Sequence, residues 1–139
     1  MRLTVFTVEE ANRVIAQIRP DVETLVRVQR ELDVLEKRIA ALSLAVSGAS
    51  PGNPDAVALR TLTERRSVLA GQLTQGVQAI HRRGCLVKDL HRGLLDFYAV
   101  SGDRLIFLCW QLGEAEVAHW HSLESGFTGR QPLHHTELD

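Results

Sequence analysis

The apolar residues of this chain change their spacing at Gly84, from a period near 3.6 before it to a period of 2 after it. Such a switch separates helices from strands along the chain and places the fold in the α+β class. Leu25, Val28, Leu32, Leu35, Ile39, Leu42 and Val46 step by three and four, an unbroken helical seam. Residues 47–53, rich in Gly, Ser and Pro, read as a loop. Asn53 is then an N-cap with Pro54 at the first helical position. The second helix carries Leu59, Leu62, Leu69, Leu73 and Ile80, its seam interrupted by Arg66 and Gly76, and it stops at Gly84. A long antiparallel helical hairpin follows from these signals. Ahead of it, Thr7-Val8-Glu9-Glu10 reads as a capping box, and Pro20 predicts a kink or short break. A short N-terminal helix is therefore expected, preceded by a strand-like alternation over residues 2–6.

After Gly84 the segments 85–90, 94–100, 104–112 and 115–121 alternate like strands, which predicts a small antiparallel β-meander packed with the hairpin. Arg92-Gly93, Ser101-Gly102-Asp103 and Gly113-Glu114 supply the turns, the last as a two-residue type II′ turn. The chain of 139 residues suits one domain. Its expected parts are the hairpin over 1–84, the sheet over 85–123, and a loop and tail over 124–139.

Turn placement fixes which side chains share a face. A Gly113-Glu114 turn sets Cys109 opposite Ala118 and Phe107 opposite Trp120. Either form of the preceding turn, Ser101-Gly102 or Gly102-Asp103, puts Asp96 and Tyr98 on the face of Phe107, Cys109 and Trp120. Ile106, Leu108, Trp110, Val117, His119 and His121 fall on the other face. Both faces are largely apolar, so one should lie on the hairpin and one under a tail or partner.

Charge and thiol content narrow the function. A net charge of -1 gives no drive toward nucleic acid, and no apolar run approaches a membrane span. Without a leader-like apolar stretch in residues 1–10, the two cysteines read as reduced cytoplasmic thiols. Asp96 sits among apolar neighbours, and an Arg92-Gly93 turn brings Asp89 opposite it. Two such carboxylates suit a general acid or a cation site, or else they accept structural hydrogen bonds at strand ends. His119 and His121 share a face and could reach one divalent metal with Glu114 or the tail pair His134-His135, or could serve as edge residues. Cys109 lies across the sheet from His121 in this register, which argues against a cysteine–histidine dyad. Arg130, in a glycine-flanked loop, could clamp an anion or dock the tail onto an acid.

Several segments together resemble a bacterial family catalogued as domain of unknown function 2203. They are Phe6-Thr7-x-Glu9-Glu10-Ala11-Asn12, Gly84-Cys85-x-Val87-Lys88-Asp89 and Gly93-Leu94-x-Asp96-Phe97, followed by Cys109-Trp110-x-x-Gly113-Glu114, Trp120-His121 and Gly126-Phe127-x-Gly129-Arg130. The resemblance implies that Asp89, Asp96, Cys109, Trp110, Glu114, Trp120, His121 and Arg130 belong to the family pattern. His91, Tyr98 and His119 stand where it implies an acid, a proline and an aromatic. The family brings no activity with it.

The expectation is thus a non-enzymatic, self-associating cytoplasmic domain, a homodimer through its hairpin. The sheet and C-terminal loop would hold a small polar ligand or divalent metal, with Asp89, Asp96, Cys109, Glu114 and Arg130 as ligand-binding candidates. His121, Glu114 and His119 are the metal candidates. The alternatives are an enzyme using Asp89 or Asp96 as acid–base with Arg130 as anion clamp, and a purely structural interaction module.

Overall fold

A computed structural model describes residues 3–133; the tail pair His134-His135 lies outside the described residues. Helix α1 spans Val8–Ala45 and α2 spans Pro54–Arg82. Thr7 Oγ1 accepts from the Glu10 amide at 3.1 Å and the Glu10 carboxylate accepts from the Thr7 amide at 3.0 Å, so the capping box forms as expected. Asn53 Oδ1 likewise accepts from the Asp55 amide at 2.9 Å.

The break expected at Pro20 is absent, and α1 runs through it without interruption. Proline deprives the helix of one hydrogen bond to the preceding turn. Ile15, Ile18, Val22, Leu25 and Val26 are all buried on either side of it, and that packing outweighs the local loss. The predicted short N-terminal helix is therefore the first stretch of α1. Residues 3–7 form no strand either; the Phe6 amide makes one backbone bond to the Tyr98 carbonyl at 2.7 Å.

The sheet is an antiparallel meander in the order β1-β2-β3-β4-β5: Leu86–Asp89, Leu94–Ser101, Arg104–Gln111, His119–Ser122 and Gln131–Pro132. Its inner face (Leu95, Phe97, Ala99, Ile106, Leu108 and Trp110) packs on the stripe of α1 from Ala11 to Val26. At roughly 1.5 Å per residue, α1 is about 57 Å long, twice the length of an eight-residue strand. The far half of the hairpin thus extends past the sheet. There only Leu35, Ile39 and Leu69 form a second, small buried cluster.

Gly84 ends α2 with φ of +95°, the left-handed conformation expected of it. An added Cβ would also approach Thr4 Cβ to 2.7 Å.

Candidate functional site

The register of β4 differs from the expected one by a single residue, and that changes which side chains meet. Cys109 pairs with His119, Leu108 with Trp120 and Phe107 with His121. The cause is the β3–β4 connection. Gly113 has φ of +107° and the Glu114 amide donates to the Gln111 carbonyl at 3.0 Å. Glycine thus occupies the third position of a type II turn instead of the second position of a type II′ turn. Residues 114–118 then form no ladder with β3, and β4 begins only at His119.

Side chains of α1 hold that connection in place. Arg19 donates to the Glu114 and Ala115 carbonyls at 3.1 and 2.8 Å, and Asn12 Oδ1 accepts from the Val117 amide at 2.7 Å. Trp110 Nε1 donates to the Glu114 carbonyl at 3.1 Å. Val117, 3% exposed, enters the core.

Odd positions of β4 therefore face outward with Asp96, Tyr98, Phe107 and Cys109. His119 and His121 lie on that face, not on the face of Ile106, Leu108 and Trp110 as expected. Trp120 turns inward beside Leu108.

The outer face buries a polar centre. Asp96 and His121 are each 2% exposed and Cys109 is fully buried. One donor atom from each of the three lies within 4.8 Å of the others. His121 Nε2 is 3.1 Å from Asp96 Oδ2, and His121 Nδ1 is 2.7 Å from the Ser122 carbonyl oxygen. A carbonyl only accepts, so Nδ1 carries a hydrogen and the working nitrogen is Nε2. Asp96 Oδ1 is buried with no hydrogen-bond partner among the described residues.

Burial first, then the negative charge of Asp96, pushes the Cys109 thiol up to about 12. The thiol is protonated at neutral pH. The expected opposition of Cys109 and His121 across the sheet is corrected, but proximity has not produced a free thiolate. Cys85, also buried, is raised to about 11, chiefly by burial.

Glu114, His119 and Arg130 form a neighbouring cluster. Arg130 Nη2 donates to both Glu114 oxygens at 2.9 and 2.8 Å, and Glu114 Oε1 accepts the Gln111 amide at 2.7 Å. His119 Nδ1 lies 3.5 Å from Glu114 Oε2. Of the two sequence alternatives for Arg130, the geometry matches the docking of the tail, although the acid is Glu114 instead of Asp89 or Asp96. The same cluster takes Glu114 up with Arg130 and His119, away from the expected pairing with His121.

Asp89 does not join either group. The turn takes up residues 90–93, which pairs Asp89 with Leu94, and a bulge between Val87 and Asp89 then sets Leu86 opposite Asp96. The Asp89 carboxylate instead accepts the amides of His91 and Arg92 at 2.9 and 3.4 Å. This is the strand-end acceptor role.

The segment after β4 turns back against that strand. Phe127, in a 3-10 turn at Phe127–Gly129, has the guanidinium groups of Arg92 and Arg130 at 5.0 and 4.9 Å from its ring centre. Lys88 Nζ sits 4.6 Å from the centre of the Phe107 ring. The segment returns as β5, which was expected to be loop; Pro132 is tolerated on an edge strand because no ladder donor is needed there.

Sequence reasoning identified the members of the centre but not their convergence. It also missed Asn12 and Arg19, which set the register. The one signal for them was Asn12 and Arg19 lying next to the apolar stripe formed by Ala11, Ile15 and Ile18.

Helical hairpin, antiparallel meander and enclosed Asp–Cys–His centre define a class of α+β domain with its polar chemistry inside the outer layer. The chain belongs to the family of uncharacterized conserved proteins DUF2203, whose model matches residues 4–133. No curated protein and no solved structure matches it. No described helix is long and apolar enough to cross a membrane.

Proposed function

We propose that the chain is a non-enzymatic binding domain of the cytoplasm that holds a small cation at Asp96 and self-associates through its hairpin. The observation that carries the cation is Asp96 Oδ1, a buried carboxylate oxygen without a hydrogen-bond partner among the described residues. Leaving such an atom unsatisfied costs roughly 1–3 kcal/mol, and more for a charged group, so a bound ion is a physical reason for it to persist. The two buried cysteines, unpaired with one another, suit a reducing compartment. Untagged protein is expected to retain close to one metal ion per chain in elemental analysis, and chelation is expected to lower its melting temperature. Metal-free protein whose melting is unchanged by chelator would end the cation reading.

The enzymatic alternative has weaker support. The hydrogen-bonded Asp96–His121 pair could move a proton. Its proposed partner Arg130, however, is already ion-paired with Glu114, so its charge is compensated within the protein.

Self-association rests on the far half of the hairpin. Val34, Leu44, Val57 and Val68 are 45–83% exposed there, beside a buried cluster of only three residues. A second copy covering those side chains would remove apolar surface from water. Sedimentation equilibrium at micromolar concentration is expected to give twice the chain mass. A single species of monomer mass would exclude the dimer.

A further inference from the structure

The proposed cation site also specifies what kind of cation it would take. We infer that Asp96, Cys109 and His121 form a closed site for one divalent transition metal of the zinc class, bound through a carboxylate oxygen, a thiolate and Nε2. This inference rests on the cation reading of the preceding section and narrows it.

Three features carry it. The donor set is mixed O, S and N. Magnesium and calcium take oxygen donors, whereas a cysteine sulfur and an imidazole select zinc and its transition-metal neighbours. The tautomer is already set, because the bond from Nδ1 to the Ser122 carbonyl leaves Nε2 to face the site, an outer contact of the kind that orients metal-bound histidines. The third feature is size. Metal–ligand bonds of about 2.0–2.3 Å place neighbouring donors about 3.3–3.8 Å apart in a tetrahedron. The donors here lie within 4.8 Å of one another, so movements of roughly 1 Å close the site. A water would complete the tetrahedron.

Charge bookkeeping points to the same valence. A carboxylate, a thiolate, a neutral imidazole and a doubly charged cation sum to zero, and binding through sulfur releases the thiol proton to solvent. In a site whose members are at most 2% exposed, a divalent ion thus leaves no uncompensated charge. A monovalent ion on the same three ligands would leave one negative charge.

The test is titration of the chelator-treated, untagged full chain with cobalt(II) and, separately, with magnesium. One cobalt per chain should bind with a thiolate-to-cobalt charge-transfer band, displaced by zinc, and the thiol proton should be released to a weakly buffered solution. Cys109→Ser should lose the band while far-ultraviolet circular dichroism shows it folded, and Asp96→Asn should weaken binding at least tenfold. The double variant His134→Ala/His135→Ala should keep both band and stoichiometry. Uptake of magnesium or manganese unaffected by Cys109→Ser, with no thiolate band, would overturn the zinc-class assignment and leave the cation reading intact. Cobalt uptake lost only with the tail histidines would overturn it as well. Failure of every cation to bind the folded chain, with Asp96 Oδ1 satisfied by an ordered water, would overturn both.

Discussion

His121→Ala is expected to destabilise the metal-free protein by about 3–5 kcal/mol, the usual range for removing one partner of a buried charged pair. The substitution takes away the His121 partner of Asp96 Oδ2, on a carboxylate whose other oxygen has none among the described residues. It also frees the Ser122 carbonyl and leaves a cavity beside Phe107, whose ring centre is 5.3 Å from that of His121. The cost arises mostly from what stays behind, so Asp96→Ala/His121→Ala together should cost clearly less than the two single changes summed. Urea unfolding of the four chains at pH 7 gives the cycle. A loss below about 1 kcal/mol for His121→Ala would mean that the pair is not enclosed in solution.

Trp110→Ala should match or exceed that loss, at about 3–5 kcal/mol, with a melting temperature lower by roughly 10–20 °C. Trp110 is fully buried on the inner face, with the Arg19 guanidinium 5.2 Å from its ring centre. Its indole N–H also holds the Glu114 carbonyl, and with it the start of the β3–β4 connection. Trp110→Phe keeps most of the burial and removes the donor, so it should cost only about 1–2 kcal/mol. Thermal melts of the two variants separate packing from anchoring. Equal losses in both would assign the whole effect to the hydrogen bond.

The limits of the sequence are clearest at these same residues. Local pattern sufficed for the hairpin, since Thr7, Asn53, Pro54 and Gly84 each act within a few positions of themselves. It also placed Asp96 with Cys109, because a two-residue hairpin transmits side-chain alternation without ambiguity. It failed for His121, whose face depends on whether the preceding connection holds an odd or even number of residues. That number is set by Arg19 and Asn12, 95 to 105 positions away in the chain, and no periodicity within the strands carries it. Gly113 suited either turn type. Pro20 misled in the opposite sense: its local preference is real, but burial on both sides prevails. Asp89 moved away from Asp96 because the turn takes up residues 90–93 where a two-residue turn had been expected, and turn length leaves little trace in apolar spacing.

The distance in sequence between α1 and the sheet has a consequence for how the protein is made. Synthesis proceeds at about 5–20 residues per second. The stripe of α1 from Ala11 to Val26 packs with Leu73 and Ile80 of α2 but also with residues 95–117 of the sheet, so it emerges several seconds before its cover is complete. The two helices can pair with each other in that interval, since α2 follows α1 directly. The side of the stripe that meets the sheet stays open until then. A nascent hairpin with one apolar side in water is the kind of species that a holding chaperone would bind, and the last part of the chain, with Val117 and the β3–β4 connection, is what would close it.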